Sequence, residues 1–377
     1  MSYLLLSQVC KINMGQSPES SSYNTNGDGL PFFQGNADFG ERYPVTRIWC
    51  NAPTKIAHAG DILISVRAPI GALNYASEEC CIGRGLAAIT PDVNKVSPEF
   101  VFWLLKGKNT ELNSKGTGST FKAIGRKVLE EILVPDIGLE KQKEYARTLE
   151  IVYSLLSKRR AQLLTLDELV KARFVEMFGD QKQFDTAPLD KNVEEMFIGP
   201  FGSSLKNECF VPVEQGFCMV YEQKHAIRKS MNVETRYVNE AKYRELQRFT
   251  VRGGDIIVSC RGTIGETFIV PENAPMGIMH PSIMKIRLKH QVYNLIFFDH
   301  LLQSILKKHE TEANGSGVKM AITATALGQK EIIIPPMTAQ RQFASFVTQV
   351  DKSKVVVQGA LDEARLLFDS LMQKYFG

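Results

Sequence analysis

Two stretches of the chain carry a sustained four-three alternation of apolar positions. Tyr145, Leu149, Val152, Leu156, Arg159, Leu163, Leu166, Val170, Arg173 and Met177 follow it in the first, and eight of these ten are apolar. Phe343, Val347, Val350, Lys354, Val357, Leu361, Ala364, Phe368, Leu371 and Tyr375 follow it in the second, with nine of ten apolar, and each lies 198 residues after its counterpart. Glycine and proline all but vanish over 138–179 and 337–377. Such spacing over about four heptads is a coiled-coil seam, so it predicts two long helices, each about 48 Å along its seam. Burial against a neighbouring domain is the usual fate of a lone amphipathic helix. Two equally long seams in one chain favour pairing with each other instead, and antiparallel pairing would relate the halves by a pseudo-twofold axis, with the globular units at opposite ends of a spacer.

The remaining sequence, 1–137 and 180–336, has a different texture. Short β-type runs such as Asp61 to Val66 and Asp255 to Ser259 alternate with turn clusters like Asn24-Thr25-Asn26-Gly27-Asp28-Gly29. Short helices are predicted near Pro98 to Leu105 and Asn294 to Lys307. These two parts are also copies of each other. Gly60-Asp61-Ile62-Leu63-Ile64-Ser65-Val66-Arg67-Ala68-Pro69-Ile70-Gly71 and the twelve residues from Gly254 to Gly265 are identical at seven positions, at a spacing of 194 residues. Gly118-Ser119 with Lys122 matches Gly315-Ser316 with Lys319 at 197, Ile132 to Pro135 matches Ile332 to Pro335 at 200, and Phe178-Gly179 matches Phe376-Gly377 at 198. Four landmarks in one order mark a duplication with loop insertions and deletions. The expected fold is α+β: two mostly-β domains, 1–137 and 180–336, joined by a central helix, 138–179, and a C-terminal helix, 337–377, in an antiparallel coiled coil.

Composition narrows the classes of function without choosing one. The 377 residues are 44% hydrophobic and 23% charged, with 45 Lys plus Arg against 41 Asp plus Glu, an ordinary globular balance. No run approaches 18 apolar residues, and Met1 to Asn13 lacks the layout of a signal peptide, so a cytoplasmic protein is expected. The second helix, running to Gly377, reads as a whole unit rather than a fragment. Seven cysteines without a C-x-x-C pair suit small buried hydrophobes in a reducing compartment. The surplus of charge is spread thinly: 22 basic and 21 acidic residues up to 188, then 23 and 20. Binding to DNA would have to act through local patches.

One such patch lies in the second half, where Lys224, Arg228, Lys229, Arg236, Lys242, Arg244, Arg248 and Arg252 face only Glu234, Glu240 and Glu245, with Tyr221, Tyr237, Tyr243 and Phe249 interleaved. Cations neutralise phosphates while aromatic and polar groups approach bases; a solvated charged face is the other reading. Loops with free N–H groups, hydroxyls and a cation suit the same backbone: Thr117, Ser119 and Lys122; Ser316 and Lys319; Gln16 and Ser17; Ser203, Ser204 and Lys206. Arg67 and Arg261 close the duplicated Ser-x-Arg and serve either DNA contact or a scaffold link. Gly60, Asp61, Gly254 and Asp255 read as turn residues.

Catalytic signatures are missing. There is no G-x-x-x-x-G-K-[ST] loop for ATP, no Asn/Asp-Pro-Pro-aromatic tetrapeptide of an adenine methyltransferase, and no metal-ligand spacing among the six histidines. Phe197 to Gly202 only imitates a cofactor loop, and Asp180-Gln181-Lys182, after a helix stop, only imitates part of a nuclease motif.

The duplicated Gly-Asp-Ile-x-x-Ser-x-Arg, the Ile-Pro motifs with downstream Gln142 and Gln342, the two Phe-Gly signatures, and Gly15-Gln16-Ser17-Pro18 followed by Tyr23-Asn24 and Pro31-Phe32-Phe33-Gln34-Gly35 together resemble the specificity (S) subunit of type I restriction-modification systems. The resemblance covers essentially the whole chain. The second domain departs from it with Gly202-Ser203-Ser204 and Gly216-Phe217. It implies a non-catalytic subunit that reads a bipartite double-stranded DNA target with its two domains, sets the gap with its helices, and recruits two methyltransferase subunits and, in the nuclease form, restriction subunits. S-adenosylmethionine, ATP and Mg would then bind to those partners. A stand-alone DNA-binding protein or coiled-coil adaptor is the alternative.

Overall fold

The computed structural model describes residues 2–118, 122–261, 263–314 and 323–377. The chain divides into two compact units, Met1–Gln162 with Val357–Gly377, and Leu163–Val356. Each unit therefore combines one recognition domain with a part of both long helices.

In the first unit the framework strands are β1 (Cys10–Met14), β2 (Leu30–Phe33), β3 (Ile62–Ser65), β4 (Leu73–Tyr75), β5 (Cys80–Ile82) and β6 (Leu86–Pro91). β1, β6, β3 and β4 form an antiparallel sheet in that order. A second sheet sets β2 and β5 side by side in parallel, with Phe32 opposite Cys81, and two-residue strands flank the pair. The run Ile-Leu-Ile of β3 is explained by burial on both faces. Ile62 and Ile64 enter a core with Phe100, Trp103 and Leu149, while Leu63 enters the core between the sheets with Phe33, Ile82 and Leu86. No polar position is left to alternate. The helix Pro98–Gly107 starts on a Ser97 cap, with proline at its first turn. It buries Phe100 to Leu105 under the first sheet.

The second unit repeats this plan with β7 (Val193–Ile198), β8 (Cys218–Tyr221), β9 (Ile256–Ser259), β10 (Thr267–Ile269), β11 (Gly277–Met279) and β12 (Ile283–Leu288). Its antiparallel sheet runs β7, β12, β9, β10, and β8 and β11 are the parallel pair, with Tyr221 opposite Met279. Ile256 and Val258 face one core and Ile257 the other. Asn294 caps the helix Leu295–Asn314, its Oδ1 accepting from the Ile296 and Phe297 amides.

The duplicated motif builds the same hairpin in both units. Gly60 and Gly254 have φ of +89° and +78°, where a side chain is disfavoured. Asp61 accepts from the His58 amide at 2.8 Å, and Asp255 from the Arg252 amide at 3.0 Å. Ser65 and Ser259 then close the loop at the other end of the strand, their hydroxyls accepting from the Ala72 and Glu266 amides.

The long helices are Leu139–Phe178 and Met337–Phe376. Within the first unit Tyr145 stacks on Tyr375 at 3.8 Å and Tyr153 lies 6.0 Å from Phe368. Within the second, Lys354 pairs with Asp167 at 2.7 Å and Phe174 meets Phe343 at 5.4 Å. Advancing along one helix means retreating along the other, so the pairing is antiparallel in each unit. Leu149, Val152, Leu156, Val170, Val347, Val350 and Val357 are buried; Leu163, Leu166, Leu361, Phe368 and Leu371 are half-buried.

Each long helix is tied to its domain by a buried glutamine. Gln142 donates to the Ile137 carbonyl and accepts from the Ser97 amide, both within 2.9 Å. Gln340 donates to the Val292 and Pro335 carbonyls and accepts from the Asn294 amide. The partner of Gln142 is thus Gln340 and not Gln342, which is exposed: helix register keeps the 198-residue spacing, whereas the Ile-Pro landmark has slipped to 200. The first unit has a further tie. Arg42, on the loop after β2, lies over the rings of Phe102, Trp103 and Tyr153 at 4.8, 5.1 and 5.3 Å and pairs with Glu150, while Ser157 donates to Glu41.

Candidate nucleic-acid interface

In the first unit the sequence-derived candidates converge on one segment, 82–85, that follows β5. The Gln16 amide donates to the Ile82 carbonyl at 3.0 Å, and the Ser17 hydroxyl accepts from the Arg84 amide at 3.3 Å. The Val66 amide donates to the Gly85 carbonyl, the next residue, Arg67, bridges to Ala123, and Ala123 bonds reciprocally with Thr117. The Lys122 carbonyl accepts from the Ala68 amide. Gln16, Thr117 and Lys122 are exposed and Ser17 is half-buried. Ser119, Ser316 and Lys319 lie outside the described residues.

The two arginines of this convergence, Arg67 and Arg84, line a cleft of about 330 Å³ together with Gln34, Asn36, Asp38, Phe32 and Ile48. Both are exposed, and neither makes a side-chain hydrogen bond or ion pair among the described residues. The Asp38 carboxylate orders the cleft wall by accepting from the Gln34 and Gly35 amides. Glycines flanking Arg84 allow the two loops to meet: a Cβ at Gly85 would stand 2.3 Å from the Gln34 carbonyl oxygen, and one at Gly83 3.0 Å from the Gln34 Cα. Arg84, Gln34 and Asn36, which line this cleft, are not among the candidates named from the sequence. The Gly-Arg-Gly string directly after an apolar run was the available signal.

In the second unit Arg261 is likewise exposed and without a side-chain hydrogen bond or ion pair among the described residues. Its backbone is held by the Cys260 amide donating to the Ser282 carbonyl. Nearby, Glu222 is buried and receives both Arg236 and Lys224, the latter at 2.9 Å. Burial alone would raise its pKa, but these cations outweigh burial and hold the carboxyl below the ordinary range. Burial pushes His280 and His225 down, favouring neutral imidazoles. His225 Nδ1 accepts from the Glu222 amide at 3.0 Å.

The basic stretch is less free than its sequence suggests. Besides Lys224 and Arg236, Lys242 pairs with Glu245 and Arg244 with Glu240. Arg228 is exposed and makes no ion pair among the described residues, and Arg248 and Arg252 line a separate cleft of about 500 Å³ with Lys285 and Phe197. Tyr221 is not available to a base: it ends an inner strand of its sheet, fully buried, and its hydroxyl donates to the Pro275 carbonyl at 2.7 Å. Ser203, Ser204 and Lys206 lie elsewhere, on a loop where the Ser204 carbonyl accepts from Lys242 and Lys206 is 4.0 Å from Glu208. The strings read as imitations of catalytic motifs are structural. Gly199 permits close approach to the His280 carbonyl, and Asp180 caps a short turn through the Lys182 amide.

Comparison with known proteins places these features in a family. The family model described as type I restriction modification DNA specificity domain matches residues 4–166 and 222–362. A putative type I restriction enzyme MjaX specificity subunit of Methanocaldococcus jannaschii is 45% identical over 161 residues, 43% of this chain and 38% of that protein, so the match spans well under half of that relative. The MjaIX specificity subunit of the same organism is 22% identical over 354 residues, 89% of this chain and 81% of its own. The solved S subunit of a type I restriction-modification system from M. genitalium shares the fold, with a TM-score of 0.61 at 14% identity, over 100% of this chain and 96% of that one.

Proposed function

The chain belongs to the type I restriction modification DNA specificity family, and on that footing we propose that it is the non-catalytic specificity subunit of a type I restriction-modification complex. Each recognition domain reads one half of a bipartite double-stranded DNA target, and the helices set the gap between the halves. The observation that carries this reading is the arginine at the end of the duplicated motif. Its glycine, aspartate and serine are all consumed in building the hairpin, whereas Arg67 and Arg261 are left exposed at the same place in both units. A planar guanidinium held in that way suits guanine edges or phosphate.

The two 40-residue helices, about 60 Å each at 1.5 Å per residue, supply spacer length. Apolar side chains exposed off their seams, Ile151, Leu164, Val355 and Leu366, favour protein docking on them. Two methyltransferase subunits dock there in this reading, and S-adenosylmethionine binds to them; restriction subunits, where present, supply cleavage with ATP and Mg.

Methylated adenines mapped genome-wide with and without this gene test the proposal. A bipartite motif that disappears with the gene is expected. An unchanged methylome refutes it.

A further inference from the structure

The two recognition domains share a scaffold, and one of the places where they differ is the mouth of the parallel strand pair. Where the parallel strands end, the Gly83 amide donates to the Phe33 carbonyl at 2.8 Å in the first unit, and the His280 amide donates to the Tyr221 carbonyl at 2.9 Å in the second. This makes Gln34 the counterpart of Glu222, Gly83 of His280, and Arg84 of Pro281. Arg67 and Arg261 stay the same beside them. Two readers of different sequences must differ in the groups that meet the bases and can share those that meet the backbone.

The chemistry of the first cleft points the same way. A phosphate only accepts hydrogen bonds, so a phosphate site needs donors alone. Gln34 and Asn36 present side-chain amides, donor and acceptor together, next to Arg84, which is unpaired among the described residues, over a partly apolar floor of Phe32 and Ile48. A single carboxamide matches the adenine edge, its oxygen accepting from N6 and its nitrogen donating to N7, and a guanidinium fork matches O6 and N7 of guanine. We propose that the mouth of the β2–β5 pair is the base-reading site of the first domain, with Arg84 specifying a guanine and Gln34 an adjacent adenine, while Arg67 is the shared backbone anchor. This rests on the specificity-subunit reading above and goes further by assigning the discriminating residues.

The test uses cells expressing the full chain with its methyltransferase partner and reads the methylated motif by sequencing. Arg84→Ala should make one guanine position of one half-site degenerate and leave the other half-site unchanged, with methylation of the cognate site slowed roughly 5- to 150-fold. Arg84→Lys keeps the charge and loses the fork, so it should relax the same position while the melting temperature of the purified complex is unchanged; it decides the matter if the alanine variant fails to fold. Gln34→Ala should relax a neighbouring adenine. An intact motif methylated uniformly more slowly in Arg84→Lys would overturn the assignment and make Arg84 a phosphate contact, with the functional reading still standing. A wild-type chain that directs no bipartite methylation would overturn both.

Discussion

Replacing Arg42 by alanine should loosen the first recognition domain from its helical base without unfolding either sheet. The Arg42 side chain is about four-fifths withdrawn from solvent and its guanidinium faces three aromatic rings at 4.8 to 5.3 Å, while its ion-pair partner Glu150 is half exposed. A partly desolvated cation–π contact is worth about 1–2 kcal/mol. An ion pair with one solvated partner adds about 0.2–1 kcal/mol. The rings should therefore dominate, and Arg42→Ala should cost about 2 kcal/mol of local stability. A global melting curve would mix two units, so the assay is amide hydrogen exchange at Tyr75 and Gly40. The Tyr75 amide bonds the Arg42 carbonyl, and the Gly40 amide bonds the Tyr43 carbonyl within the loop and the Asn74 side chain on β4. At 1.4 kcal/mol per tenfold, exchange there should speed up about 30-fold. Glu150→Ala should give about fivefold or less, and Arg42→Lys an intermediate value because it keeps charge but loses planar stacking. Equal effects of Arg42→Ala and Glu150→Ala would refute the ranking, and an acceleration below threefold would refute the tie itself.

Two further outcomes follow from the same geometry. Gln142→Ala and Gln340→Ala should each strip partners from buried backbone groups, at about 1–3 kcal/mol per orphaned group, and should destabilise the domain that each helix is tied to; Gln342→Ala, at the exposed position, should change stability by less than about 0.5 kcal/mol in denaturant titrations. The Glu222 carboxyl is held below its unfolded value, so its contribution is present above the unfolded pKa of about 4.3 and is lost as pH falls through the folded value. Acid should therefore destabilise the second domain below about pH 4.3, and Glu222→Gln should cost about 1–3 kcal/mol at pH 7 and flatten that part of the pH dependence.

The duplication was legible because four of the seven identities in twelve sit where geometry leaves little choice: glycines at positive φ, the aspartate that accepts from the turn, the serine that closes it. The seams were legible because a helix repeats its buried face over many turns. Strand order was not, since registers such as Phe32 with Cys81 pair residues far apart in sequence, and two-residue strands are too short to show alternation. Tyr221 looked like a base-stacking aromatic because nothing in a linear string distinguishes a strand buried on both faces from an exposed one. Arg84 has no repeated counterpart, since Pro281 stands in its place, so repetition between the halves could not point to it.

Each recognition domain begins and ends on one strand pair: Tyr3–Leu5 runs antiparallel to Leu133–Pro135, with Tyr3 opposite Pro135, and Asp185–Pro188 runs antiparallel to Glu331–Ile334, with Asp185 opposite Ile334. The points where the chain enters and leaves a domain are therefore neighbours, about 5 Å apart across the ladder. A domain clipped at both ends by the same ladder is a cassette. Exchanged at those two short strands for a domain of different length, it should leave both long helices in register, provided the incoming domain again offers backbone partners to Gln142 or Gln340 where Ser97, Val292 and Asn294 now stand.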